Sequence, residues 1–256
     1  VLLGRARFSI LERQPFPLSF VTISGAHLYG FPSEDSDFDL RGVHVTPPAP
    51  LLSLRPPRET IEDQSTDDGP LDELVTHDAR KYAQLLLRNN GYVLEQIFSP
   101  LVVIEGDLPR WRELARQCIA RKHVQHYLGF ARNEWAQFHR RPEKTVKRLL
   151  YVFRVMLTGI HLLRTGEVEA NLLTLDEQFH LPYVPELVAA KRANGEAAQL
   201  PPGKELAFYE REYARLEALL MASHERSTLP DETPGARDAL DAFLRDVRFS
   251  RESPTA

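Results

Sequence analysis

The sequence predicts an α+β chain: a strand-and-helix domain over residues 1–107, an all-helical domain over 108–249 and a flexible tail at 250–256. Three observations predict it. Short β-branched runs and helical windows alternate between Phe20 and Ile104. From Leu108 onward, apolar residues recur at helical spacing through 110–138, 144–164, 184–194, 204–223 and 235–247. Pro142, Pro182, Pro185, Pro201-Pro202, Pro230 and Pro234 punctuate those windows, and the residues after Phe249 are polar.

The elements follow in order. Phe20-Val21-Thr22-Ile23-Ser24 is a strand, and Ala26–Phe31 opens a helical turn. Pro32–Ser36 is loop. A second strand, Asp37–Val45, ends at Pro47-Pro48. Its apolar parity changes between Leu40 and Val43, which places a bulge at Gly42. Residues 46–70 read as a long irregular connection, the kind that serves as a lid or mobile segment. Leu71–His77 is a third strand. Asp78 then caps a helix through Ala79–Leu87, which Asn89-Asn90-Gly91 stops.

The helix Lys144–Arg164 is apolar over most of its circumference, yet Lys147, Tyr151, Arg154, Thr158 and His161 form one polar stripe. Burying Lys and Arg without anionic partners costs several kcal/mol. The stripe therefore either holds a nucleotide in the cleft between domains, pairs internally with acids, or faces water.

Composition narrows the class. The chain has 256 residues, enough for one large or two smaller domains. No apolar run approaches the ~18 residues a membrane span needs, and Val1–Phe20 lacks a signal-peptide core. A single cysteine, Cys118, excludes an internal disulfide and a thiolate zinc cluster, and it reads as a packed side chain. A cytoplasmic location and no membrane partner are expected. The net charge of −4 is uneven: residues 110–164 hold thirteen Lys/Arg against three Asp/Glu. Such a basic centre either binds a polyanion or is a solvated face paired with acids.

The chemistry is concentrated in two short stretches. Ser24-Gly25-Ala26-His27-Leu28-Tyr29-Gly30 is a small-residue turn, and Ser36-Asp37-Phe38-Asp39-Leu40-Arg41-Gly42 follows. On a strand, Asp37 and Asp39 point to one face while Phe38 and Leu40 point into the fold. Neighbouring carboxylates repel unless a cation lies between them, and Mg²⁺ favours one or two carboxylates with substrate phosphates. A Gly-containing turn can approach phosphate oxygens closely. These features point to metal-assisted phosphoryl or nucleotidyl transfer.

The same residues resemble the DNA polymerase β-like nucleotidyltransferase superfamily, in its branch of predicted nucleotidyltransferases associated with RNA ligases. The resemblance is strongest over 20–105 and weaker to about 200. The family's turn usually reads Gly-Ser; here Ala26 follows Gly25 and the serine precedes it. The resemblance implies a small mixed-sheet catalytic domain followed by a helical one. It also implies Mg²⁺ or Mn²⁺ held by Asp37, Asp39 and a third acid, Glu73, these three being the catalytic set. Ser24, Gly25, Arg41, Lys147, Tyr151 and Arg154 are the nucleotide-binding candidates, with Arg41 open to an ion pair with an acid instead. His27 and Lys81 are secondary candidates. The implied donor is a nucleoside triphosphate and the acceptor a hydroxyl, an RNA end among them. A protein hydroxyl, a small molecule, water, or a catalytically idle nucleotide-binding protein are the alternatives. Oligomeric state is not legible.

Overall fold

A computed structural model describes residues 8–65, 72–200 and 205–250. The expected strand start at Leu71, the end of the 46–70 connection, Pro201-Pro202, Val1–Arg7 and the tail from 251 lie outside them. The fold is a mixed five-stranded sheet with many helices. The chain divides into two compact units: Val1–Ser24, Asp37–Cys118 and Glu232–Ala256 in one, Gly25–Ser36 and Ile119–Asp231 in the other, as far as each is described. The expected division at 107/108 differs from this grouping in three ways, the first being that residues 108–118 stay with the sheet. The turn after Ser24 goes with the helical unit, and the last helix goes with the sheet.

In the sheet unit, a 3₁₀ turn at Ser9–Arg13 precedes β1 (Leu18–Ser24). β2 (Asp39–His44) follows, then a short helix α2 (Pro48–Leu51), β3 (Thr60–Gln64), β4 (Glu73–Asp78), α3 (Ala79–Leu87), α4 (Gly91–Phe98), β5 (Val102–Ile104) and α5 (Leu108–Gln117). The sheet order is β3-β4-β2-β1-β5. β2 and β4 run parallel; the other neighbours are antiparallel.

One sheet face buries Val21, Ile23, Leu40, Leu74 and Val103 against Phe8, Ile10 and Leu11. The other carries an aromatic chain: Phe20, Tyr82, Trp111 and Phe243 meet edge-to-face at 4.9–6.3 Å. Phe243 belongs to the last helix, α11 (Ala236–Phe249). Arg248 of that helix bonds Asp78 Oδ1 at 2.6 Å and the Thr46 carbonyl at 2.7 Å. These buried contacts are the physical reason that α11 groups with the sheet.

Three expectations are corrected. The bulge lies on β1, where the register slips between Leu18 and Phe20, and Gly42 keeps its register opposite Val21. Gly42 answers a close approach instead: a Cβ there would lie 2.5 Å from the Phe20 carbonyl oxygen and 2.9 Å from the Val21 side chain. The 46–70 connection contains α2 and the edge strand β3. Asp37 lies before β2, which starts at Asp39.

The helical unit contains α1 (Gly25–Tyr29), α6 (Val124–Arg140), α7 (Val146–Thr165), α8 (Leu172–Phe179), α9 (Tyr183–Asn194) and α10 (Leu206–Arg226). The single window expected over 110–138 is two helices, α5 and α6, separated at Cys118–Ala120. α7 is buried nearly all round, as its apolar sequence requires, and packs against α6 and α10. Among the described residues no helix is long and apolar enough to cross a membrane.

Candidate active site

The register of the sheet builds the candidate site. Ser24, the last residue of β1, pairs with Asp39, the first of β2. Asp39 in turn is the parallel neighbour of Glu73, the first of β4. Directly paired residues share a face, so Ser24, Asp39 and Glu73 stand at one end of the sheet on one side. Arg41, two residues along β2, shares that side.

Arg41 fixes the electrostatics. Its Nη2 donates to Asp39 Oδ1 at 2.8 Å and to Glu73 Oε2 at 2.6 Å, and its Nε donates to the Tyr92 hydroxyl at 3.2 Å. The Arg41 side chain is 11% exposed. Burial acts against its charge, but Tyr92, Asp39 and Glu73 outweigh burial and raise its pKa, so it stays a cation. Of the two roles open to Arg41 in the sequence, the ion pair is the one present, and it involves both acids.

The backbone around the acids is held by Asp72. Its Oδ1 accepts from the Phe38 N–H at 3.1 Å, and the Glu73 N–H donates to the Phe38 carbonyl at 3.1 Å. Phe38 itself packs on Phe8 with ring centroids 5.7 Å apart. Asp37, just before Phe38, is exposed.

Asp39 and Glu73 suit a hard divalent cation, because two carboxylates already converge on one positive nitrogen. Asp37 does not join them: among the described residues no group of three or more His, Cys, Asp or Glu is gathered as a metal cluster. The fit is therefore that of a two-carboxylate site completed by substrate oxygens.

Ser24 is fully buried, and its Oγ has no hydrogen-bond partner among the described residues. Gly25 has φ +63°, a left-handed conformation that explains glycine at this junction. Ala26, where the family's serine would stand, is buried. His27 Nε2 lies 3.4 Å from the Ser36 carbonyl oxygen, and Lys81 donates to the Thr60 hydroxyl. Thr60 is also 3.0 Å from His77 Nδ1. Burial, helped by Lys81, lowers the His77 pKa to about 4.

Within the helical unit, α7 carries the expected stripe, and its members have partners. Lys147 Nζ bonds Glu196 Oε2 at 2.5 Å. Tyr151 packs edge-to-face on Tyr29 and Phe31 at 5.5 and 5.6 Å. Arg154 is 2% exposed and lies 3.8 Å above the Tyr29 ring. Thr158 is buried, and His161 meets Gln178 at 3.2 Å.

Glu196 is a hub that the sequence did not reveal. Besides Lys147 it accepts from buried Lys191 at 2.8 Å and from the Ser36 hydroxyl at 2.9 Å. Burial alone would raise its carboxyl, but the two lysines outweigh that and hold its pKa low. Tyr92 was missed for a similar reason: both act through partners distant in sequence, with no local motif. Much of the basic excess at 110–164 is likewise paired, Arg110 with Asp246, Arg121 with Asp231 and Arg132 with Glu217. Cys118 is buried, which raises its thiol to about 11 and leaves it inert.

The RNA repair pathway DNA polymerase beta family (RlaP) matches residues 6–246. The chain belongs to this family. It is thereby a member of the polymerase β-like nucleotidyltransferase superfamily. Two relatives are uncharacterized proteins. YcgL of Bacillus subtilis (strain 168) is 29% identical over 137 residues, 52% of each chain. The match thus spans about half the length of that relative. MJ0002 of Methanocaldococcus jannaschii is 26% identical over 220 residues, 83% of this chain and 87% of that protein. A crystal structure of a nucleotidyltransferase-like protein from Exiguobacterium sibiricum 255-15 has a TM-score of 0.30 and 12% identity, covering 94% of this chain and 76% of that one.

Proposed function

We propose that this family member is a metal-dependent nucleotidyltransferase that moves a nucleoside monophosphate from a nucleoside triphosphate to a hydroxyl, with an RNA end as the acceptor. One observation carries the reading: Asp39 and Glu73, in register on parallel strands, converge on one cation beside Ser24. The RNA acceptor rests on the family's description.

In this reading Asp39 and Glu73 would hold Mg²⁺ or Mn²⁺, with substrate oxygens completing the coordination and exposed Asp37 as a further acid near by, and the ion would supply charge stabilisation for an in-line displacement. The Ser24 hydroxyl and the Gly25 N–H hold terminal phosphate oxygens. Arg41 leaves its carboxylates to neutralise charge on the phosphates, remaining protonated throughout. Arg154 is buried over Tyr29, and Lys147 and Tyr151 line a pocket of the helical unit, so in this reading Ser24, Gly25 and Arg41 make the contacts to the donor phosphates. Oxygen attack at the α-phosphorus forms one P–O bond and breaks another, releasing pyrophosphate.

A second reading has its own support. Arg41 paired to both acids, together with Ala26 in the turn, is compatible with a catalytically idle nucleotide-binding protein. Product analysis separates the cases. Transfer predicts pyrophosphate and a labelled hydroxyl acceptor. Nucleoside monophosphate and pyrophosphate from triphosphate alone would make water the acceptor, and binding without Mg²⁺-dependent turnover would favour the idle fold.

A further inference from the structure

We propose that the pocket between α6 and α7 of the helical unit holds the terminal nucleotide of a single-stranded RNA. The inference rests on the transfer reading above and assigns the acceptor a place. The pocket measures about 490 Å³, within the usual range for a small-ligand site. α6 contributes Phe130, Glu134 and Gln137, the residue after it is Arg141, and α7 contributes Lys147, Arg148 and Tyr151.

Phe130, Glu134 and Gln137 lie at helical spacing on one face of α6, so the helix presents them together, and Arg141 follows in extended backbone just past its end. Opposite them, the start of α7 is clipped to the segment after α9. The Val146 N–H donates to the Ala198 carbonyl at 2.8 Å, and Thr145 bridges to Gln199. That clip brings Glu196 beside Lys147.

The lining fits a nucleotide. Two half-buried aromatic rings offer stacking surfaces for a base. Three cations offer phosphate contacts, and two of them are now neutralised by carboxylates. Lys147 meets Glu196 at 2.5 Å, and Arg148 meets Glu134 at 3.5 Å. Phosphate oxygens present the same acceptor chemistry as those carboxylates. Gln137 and Thr145 add neutral hydrogen-bonding groups.

The charge does not end at the pocket, and this favours a strand over a free mononucleotide. Arg140 and Arg141, at the end of α6, are both exposed. Neither has an ion-pair partner among the described residues. They extend the positive surface past the α6–α7 turn, where further backbone phosphates would lie.

The test is anisotropy with a fluorescent single-stranded oligoribonucleotide, using wild type, Arg141→Glu and Phe130→Ala. Arg141 is exposed, so its variant keeps the fold, which thermal melting checks. The expected result is about a tenfold loss of RNA affinity in Arg141→Glu, with the salt slope reduced by about one and ATP affinity unchanged. Phe130→Ala should lose about tenfold through stacking. Unchanged RNA affinity and salt slope in Arg141→Glu would overturn the proposal, as would equal losses for ATP and RNA. Failure of the transfer reading looks different: wild type binds RNA through these residues but labels no acceptor. Transfer by wild type with an RNA KM unchanged in Arg141→Glu defeats the pocket assignment alone.

Discussion

Arg41 on β2 reaches across to Glu73 on β4 and closes on its carboxylate at 2.6 Å. The same Nη2 also holds Asp39, so one side-chain cation lies between the two carboxylates proposed above as metal ligands. In the proposed mechanism Arg41 and the metal would compete for these carboxylates.

Removing that competitor has opposite consequences for binding and turnover. Arg41→Gln should bind Mn²⁺ more tightly than wild type in the absence of nucleotide, read by electron paramagnetic resonance titration. Its transfer rate should fall on the order of 10²-fold, the usual cost of losing one charge-stabilising donor. Weaker Mn²⁺ binding would show that Arg41 organises the acids instead of competing for them.

The Asp78–Arg248 pair makes α11 part of the sheet unit's stability. Asp78 is almost fully buried and also caps α3 through the Arg80 N–H at 2.9 Å. Arg248→Ala strands a buried carboxylate, which costs about 3–5 kcal/mol. Urea denaturation should show that loss, and a change below about 1 kcal/mol would mean the pair is neutral in net effect.

Acid sensitivity follows from the histidines. Burial lowers the pKa of His44, His77, His123 and His126 to about 4. These groups stay neutral in the fold while the unfolded chain protonates near the ordinary value of about 6.5. The unfolded state thus binds more protons, and stability falls as pH drops from about 6.5 towards 4. Each group contributes at most about 1.4 kcal/mol per pH unit. Melting temperature should decline across that window, and His123→Gln should flatten the decline. An equal slope in the variant would remove His123 from the account.

The sequence disclosed elements whose signals are local. The Phe20–Ser24 run is β1, Asp78 caps α3, and α3 ends before Asn89-Asn90-Gly91 as expected, while Asn90 has a second role not read from the sequence, capping α4 by accepting from the Tyr92 and Val93 N–H groups. β3 escaped because Thr60–Gln64 is a polar edge strand, and β5 because it has only three residues. The break between α5 and α6 carries no Gly or Pro. Gly42 misled in an instructive way: its missing Cβ serves the close approach of Phe20, while the bulge lies at Ser19, where a hydroxyl bonds Trp111 and Asp107. At the site, Asp39 and Glu73 were legible through their motif and its resemblance. Their shared bond to Arg41 was an open alternative, and Tyr92, 51 residues from Arg41, was not legible at all.

Gly42→Ala tests that packing. The new methyl must displace the Phe20 backbone or the Val21 side chain, which costs about 1–3 kcal/mol. The loss should appear in urea denaturation with nucleotide affinity retained. A neutral substitution would show that the two strands can separate at this point without cost.

The central claim is most directly tested with α-labelled ATP, CTP, GTP and UTP, Mg²⁺ or Mn²⁺, and mixed small RNAs. An Asp37→Ala/Asp39→Ala variant serves as the control. Label on RNA with the native protein alone is the predicted result, and it would also identify the base. No label on any acceptor, with nucleotide binding intact, would contradict nucleotidyl transfer.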